Sequence, residues 1–148
     1  MKKTLITQMP EDLPKEIKNF ISDAPIYDSS SSPEARVYFV DKDEGYYLKR
    51  ANLGKLAKEA KMTQYFYSKG LSTEVLDYTA NDYDWLLTRA VKGEDCVYSE
   101  YLANPKRLCD TIACELRRLH ETDYAALPAV MDLVRHGFLY PTELGPVI

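Results

Sequence analysis

The chain is poor in the features that mark a secreted, membrane-spanning or metal-built protein. Its three cysteines, Cys96, Cys109 and Cys114, form no close pair and stand beside no histidine cluster. Neither a disulfide framework nor a zinc site is expected, and free buried thiols in a reducing compartment are the plain expectation. No run approaches the roughly 18 apolar residues that a membrane span needs. The N-terminus opens on Lys2-Lys3, but Thr4, Thr7 and Gln8 interrupt it before an apolar core forms, so no secretory leader is expected. Basic excess is missing as well: the net charge of -4 weighs against a dedicated nucleic-acid binder and suits a cationic small molecule. These absences together predict a cytoplasmic protein with neither membrane nor nucleic acid as partner.

What is present is ordinary globular material. With 148 residues, 45% hydrophobic and 28% charged, the chain is the size of one domain and long enough to bury a core. Residues 10–23 carry Leu13, Ile17, Phe20 and Ile21 at helical offsets behind Pro14, which predicts a short amphipathic helix. Pro25-Ile26-Tyr27 suggests a first strand. Arg36-Val37-Tyr38-Phe39-Val40 is a strong strand signal, Asp41 to Gly45 supplies a turn, and Tyr46 to Arg50 returns as its antiparallel partner. Asn52 as N-cap, with Leu53, Leu56, Ala60, Thr63, Gln64 and Tyr67 at steps of three and four and Gly70 as stop, predicts a helix over 52–70. A second hairpin follows, residues 74–79 and 83–88 turning at Asn81-Asp82. Asn104-Pro105 then opens a helix whose apolar stripe runs through Leu108, Ile112, Ala113, Leu116 and Leu119 to His120. The predicted fold class is α+β, with a five-stranded antiparallel sheet, one packed helix and helical segments behind it.

Two places in this outline carry chemistry. Lys49 falls at the end of a strand, and Glu59 follows ten positions later, at the margin of the helical stripe. That carboxylate can leave the packed face and hold the lysine ammonium toward an anion, although lysine and glutamate at such a spacing are also ordinary surface charges. Ser29 to Ser32, before Pro33, is either a polar linker or a tight loop whose hydroxyls and N–H groups face an anion. Antiparallel pairing brings the loop before Arg36 next to the strand end at Lys49.

In order along residues 10–124, these blocks resemble the N-terminal half of an aminoglycoside phosphotransferase, the antibiotic-modifying branch of the protein-kinase-like fold. Residues 32–38, Ser-Pro-Glu-Ala-Arg-Val-Tyr, resemble the family's nucleotide loop and second strand, which implies that Ser30, Ser31 and Ser32 cover phosphates. Tyr47-Leu48-Lys49 resembles the third-strand motif, with Tyr47 on adenine and Lys49 on phosphates, and Glu59 stands where the lysine-pairing glutamate lies. Trp85 to Ala90 resembles the last strand and hinge, so that the main chain of Thr88, Arg89 and Ala90 would read the adenine edge. Glu115 to Asp123 resembles the helix end that precedes the catalytic segments.

The resemblance implies a kinase-like N-lobe over 1–90, a hinge connector and first C-lobe helix over 91–124, and an atypical tail over 125–148. It implies ATP and magnesium as cofactors, and transfer of a phosphoryl group to a hydroxyl of a cationic antibiotic or similar molecule, with a non-catalytic nucleotide-binding or interaction domain as the alternative. The family's His-Gly-Asp loop has no counterpart, because Phe138 follows His136-Gly137, and no Asp-x-Gly follows the Leu119-His120 helix end. The chain is therefore expected to hold no catalytic base and no metal ligand, to act as a truncated lobe inactive by itself, and to self-associate through exposed lobe surface.

Overall fold

A computed structural model describes residues 4–123. In chain order it contains β1 (Thr4–Leu5), α1 (Lys15–Ile21), β2 (Ile26–Asp28), β3 (Ala35–Val40), β4 (Tyr46–Asn52), α2 (Ala57–Ser68), β5 (Val75–Ala80), β6 (Tyr83–Arg89), α3 (Ser99–Leu102) and α4 (Pro105–His120). The described residues up to Val91 belong to one compact unit and those from Lys92 to a second. The expected tail, with His136-Gly137, lies outside the described residues.

The first unit is an antiparallel sheet in the order β1-β2-β3-β4-β6-β5 with helices α1 and α2. The α+β class and both hairpins follow the sequence reading, but the sheet has six strands, not five. The extra strand is β1, two exposed residues at the sheet edge paired with Asp28 and Tyr27. Two residues carry no periodicity, so nothing in their pattern could announce a strand.

Alternation in the strands gives the sheet two faces. One face holds Tyr38, Val40, Tyr46, Leu48, Trp85 and Leu87, which pack with Leu13, Ile17 and Ile21 from the α1 region in the larger core. Helix α1 is shorter than the predicted 10–23 and starts directly after Pro14. Proline holds the residue before it away from helical geometry, so Leu13 packs into the core from a turn. The same face carries Arg50, whose guanidinium lies 2.8 Å from Asp12 and 3.6 Å from the centre of the Tyr83 ring. Burial works against its charge, but the hydrogen bond to Asp12 and the Asp12 charge outweigh it and hold Arg50 above its ordinary value.

The opposite face takes α2. Its smaller core joins Ala51 and Leu86 of the sheet to Leu56 and Ala60. The helix begins at Ala57, not behind an Asn52 cap, because Asn52 closes β4 opposite Tyr83. Two stripe positions, Leu56 and Ala60, are buried, while Leu53, Gln64 and Tyr67 are exposed. Gly70 ends the helix as predicted, at φ +69° just past the cap. In the second unit α4 opens as its sequence indicates, with Pro105 in first place and the Asn104 side chain accepting the Arg107 N–H at 3.1 Å.

Candidate nucleotide site on the α2 face of the sheet

Strand parity sorts the site residues. Since Leu48 and Tyr46 fill the larger core, Tyr47, Lys49 and Ala51 project to the α2 side, joined by Val37 and Phe39 from β3 and by Asp84, Leu86 and Thr88 from β6. Lys49 lies between Val37 and Leu86 in the cross-strand register. Its ammonium donates to Glu59 Oε2 at 2.7 Å, so the ten-residue spacing does close into an ion pair. With side chains 31% and 43% exposed, the pair sits at the rim of the packed face. At that exposure water screens it, and such pairs contribute about 0–1 kcal/mol to stability. Its value lies in aiming an ammonium that has three donors, one of which Glu59 occupies.

Beside Lys49 the sheet presents an aromatic row. Phe39 and Tyr47 are directly paired, with ring centroids 5.3 Å apart, and Tyr27 continues the row 6.4 Å from Phe39. The half-buried rings offer a flat apolar surface suited to a planar base. Phe39 escaped the sequence reading, although its position two after Val37 on the same face was a usable signal.

The serine loop stands at the end of β3 near Lys49, as the antiparallel geometry requires. Its hydroxyls are largely spent on the loop itself: Ser30 Oγ accepts the Val37 N–H at 3.0 Å and Ser32 Oγ accepts the Glu34 N–H at 3.1 Å. Ser31 is exposed and Ser29 is buried. Asp28 ties the loop down by accepting the Ser30 N–H at 2.8 Å, and the Ser30 hydroxyl and N–H, with help from Arg36, hold its carboxyl below the usual value. The loop is thus a braced turn and not a loose linker. At the other side of the site, Arg89 donates its N–H to Glu74 O at 3.0 Å and Ala90 donates to Gly45 O at 2.9 Å. The Thr88 hydroxyl lies 3.4 Å from Tyr47 O. The end of β6 is therefore fastened to the aromatic row, and Arg89 and Ala90 have already committed their N–H groups.

One further residue on this face had no sequence signal. Asp84 is completely buried, and its Oδ2 accepts the Leu56 N–H at 2.7 Å at the start of α2. Among the described residues no group of three or more His, Cys, Asp or Glu side chains is placed to hold a metal, and no helix is long and apolar enough to cross a membrane.

Residues 30–143 match the model of the APH phosphotransferase enzyme family. The chain belongs to that family. A probable aminoglycoside 3'-phosphotransferase of Lactococcus lactis subsp. lactis (strain IL1403) is 47% identical to it over 119 residues, which are 80% of this chain and 45% of that protein. The chain thus spans under half the length of this family relative. The matched region takes in Ser30 to Ser32, Lys49, Glu59 and β6.

Proposed function

We propose that the chain provides the nucleotide-facing part of an ATP-dependent phosphotransferase of the aminoglycoside-kinase type, which moves a phosphoryl group to a hydroxyl of a cationic small molecule. The observation that carries this reading is the Lys49–Glu59 pair at 2.7 Å, held on the sheet face next to the Phe39–Tyr47 rings. Glu59 fixes the ammonium, and the remaining Lys49 donors meet phosphate oxygens. Tyr47 and Phe39 lie against the purine, the loop of Ser30, Ser31 and Ser32 covers the phosphates, and the main chain at Thr88, Arg89 and Ala90 meets the base edge. Phosphoryl transfer is governed by positioning and charge neutralisation, which is the kind of work these residues can do. Magnesium, when bound with the nucleotide, adds charge neutralisation at the phosphates; none of the described residues is assigned to it. The substrate class is supported by the relative's name and by the net charge of -4.

The alternative reading is a nucleotide-binding or interaction domain without transfer chemistry. Both readings require nucleotide binding, so calorimetric titration of the 148-residue chain with ATP and magnesium tests their common part. Saturable binding is expected, weakened about tenfold or more in Lys49→Ala, because a hydrogen bond to a charged group contributes roughly 1.5–3 kcal/mol. Equal binding by both proteins would remove Lys49 from the site, and no binding by either would overturn the reading for this chain. Adding an aminoglycoside and following ADP release then tests transfer: turnover supports the first reading and overturns the second. Exposed Ile112 and Leu116 on α4 also support self-association, which light scattering would detect and a clean monomer would refute.

A further inference from the structure

Asp84 sits on β6 between Ala51 of β4 and Ala80 of β5, with no exposure to solvent. A carboxylate taken so far from water is costly unless hydrogen bonds hold it. Oδ2 receives the Leu56 N–H at 2.7 Å, while Oδ1 has no hydrogen-bond partner among the described residues. The effect of this buried group reaches Tyr78 on β5, which titrates above its ordinary value mainly through burial and further through the charge of Asp84 and a hydrogen bond to it. Asp84 is thus a fixed acceptor, set on a central strand and facing the first turn of α2.

The position of its donor gives it meaning. Leu56 is the N-cap of α2, and its own side chain can cap nothing. Counting from it, Ala57, Lys58 and Glu59 are the first three helical residues. At many helix starts a glutamate in third place turns back to accept the N-cap residue's N–H. Glu59 stands in that place, but Asp84 has taken the N–H, and the Glu59 carboxylate extends instead to Lys49 at 2.7 Å. In the structure Glu59 serves Lys49 while Asp84 serves Leu56.

We propose that Asp84 is a positioning residue for the nucleotide site: by accepting the Leu56 N–H it frees Glu59 from capping its own helix and so sets the Lys49–Glu59 pair. The inference rests on the reading of that pair as a phosphate grip. Without Asp84, the Leu56 N–H is a buried donor lacking a partner, and Glu59 holds the third helical place from which a glutamate can accept it. Glu59 then turns back, and Lys49 loses the carboxylate that aims it.

The test is a cycle of variants in the 148-residue chain, with ATP affinity measured by calorimetry and folding followed by thermal melts. Glu59→Gln is expected to weaken ATP binding about tenfold, the scale of one charge-assisted hydrogen bond. Asp84→Leu should weaken it by the same factor, and Glu59→Gln added to Asp84→Leu should change affinity by less than about twofold, since coupled residues are non-additive. Asp84→Asn keeps an acceptor oxygen and should bind as the native chain does. Native affinity in a destabilised Asp84→Leu, factors that multiply in the double variant, or weakened binding in a well-folded Asp84→Asn would each overturn the proposal. Asp84→Ala stands in if Asp84→Leu does not fold, and failure of both to fold would make Asp84 a folding residue only. Lys49→Ala is measured in parallel. If it binds ATP like the native chain, the reading of the site has failed; if it weakens binding while Asp84→Leu does not, only the positioning role has.

Discussion

Replacing Gly45 with alanine tests how closely the aromatic row is built against the hinge, and Gly54 provides the matched control. Both glycines have positive φ, +95° and +82°, so an added Cβ strains the backbone at either position by about 1–2 kcal/mol. The surroundings differ. At Gly54 the new carbon meets nothing within 4 Å, whereas at Gly45 it would stand 2.9 Å from Phe39 Cε2, 3.0 Å from Phe39 Cζ and 3.3 Å from Ala90 Cβ. The Phe39 ring is the far end of a side chain and can yield, but it is held between Tyr27 and Tyr47, and each such ring pair contributes about 0.5–1.5 kcal/mol. Ala90 cannot retreat without lengthening its bond to Gly45 O. Gly45→Ala should therefore lose about 1–2 kcal/mol more than Gly54→Ala, which for a unit of this size places its melting midpoint roughly 5–10 °C lower. Thermal melts followed by circular dichroism measure the difference. Under the proposed function, Gly45→Ala should also weaken ATP binding while leaving tripolyphosphate binding as in Gly54→Ala. Equal midpoints for the two variants would show that Phe39 is not packed against residue 45 and would refute the account of the row.

Leu48→Ala empties a fully buried position at the centre of the larger core and should cost about 2–5 kcal/mol in chemical denaturation; a loss below about 1 kcal/mol would contradict that placement. Asp28→Asn should destabilise only at the higher end of the pH range: a carboxyl held low when folded adds stability that is full above its ordinary value of 3.8 and fades as the pH falls through the lowered one. The difference from the native chain, at most about 1 kcal/mol for such an exposed pair, should vanish in acid, and a constant difference across pH would contradict the Ser30 brace. Asn104→Ala removes the acceptor for the Arg107 N–H and should lower helical stability by about 0.5–2 kcal/mol, read as reduced helical circular dichroism on mild heating, with no change pointing to a cap that is dispensable.

The legible parts of the fold were those whose causes are local. Both hairpins follow from aromatic and β-branched runs bounded by turn residues, and the start of α4 follows from Asn104-Pro105. The start of α2 was misplaced because its real acceptor, Asp84, lies 28 positions downstream, and no window of sequence around Asn52 contains it. For the same reason Asp84 passed as a polar residue in a strand. The Lys49–Glu59 contact was legible from the helix spacing, although Lys49 lies in the middle of β4 and not at a strand end, because the strand continues to Asn52 opposite Tyr83. The serine loop was only half legible: its position followed from antiparallel pairing, but the use of its hydroxyls on Val37 and Glu34 depends on the fold of the turn.

Lys49 and Arg50 are adjacent cations, and the pleat sends them to opposite sides of one sheet. A slip of β4 by a single residue would exchange them, putting a guanidinium on the α2 face and an ammonium in the larger core. Charge alone would not oppose that error, since either cation attracts an anion. Shape and the partner do: Asp12 holds Arg50 on the far face, and Tyr83 stacks beneath a planar guanidinium better than beneath a rounded ammonium. An ion pair on the side of the sheet away from α2 thus acts as a proofreader of alignment, and the α2 face presents a lysine because an arginine is already engaged behind it.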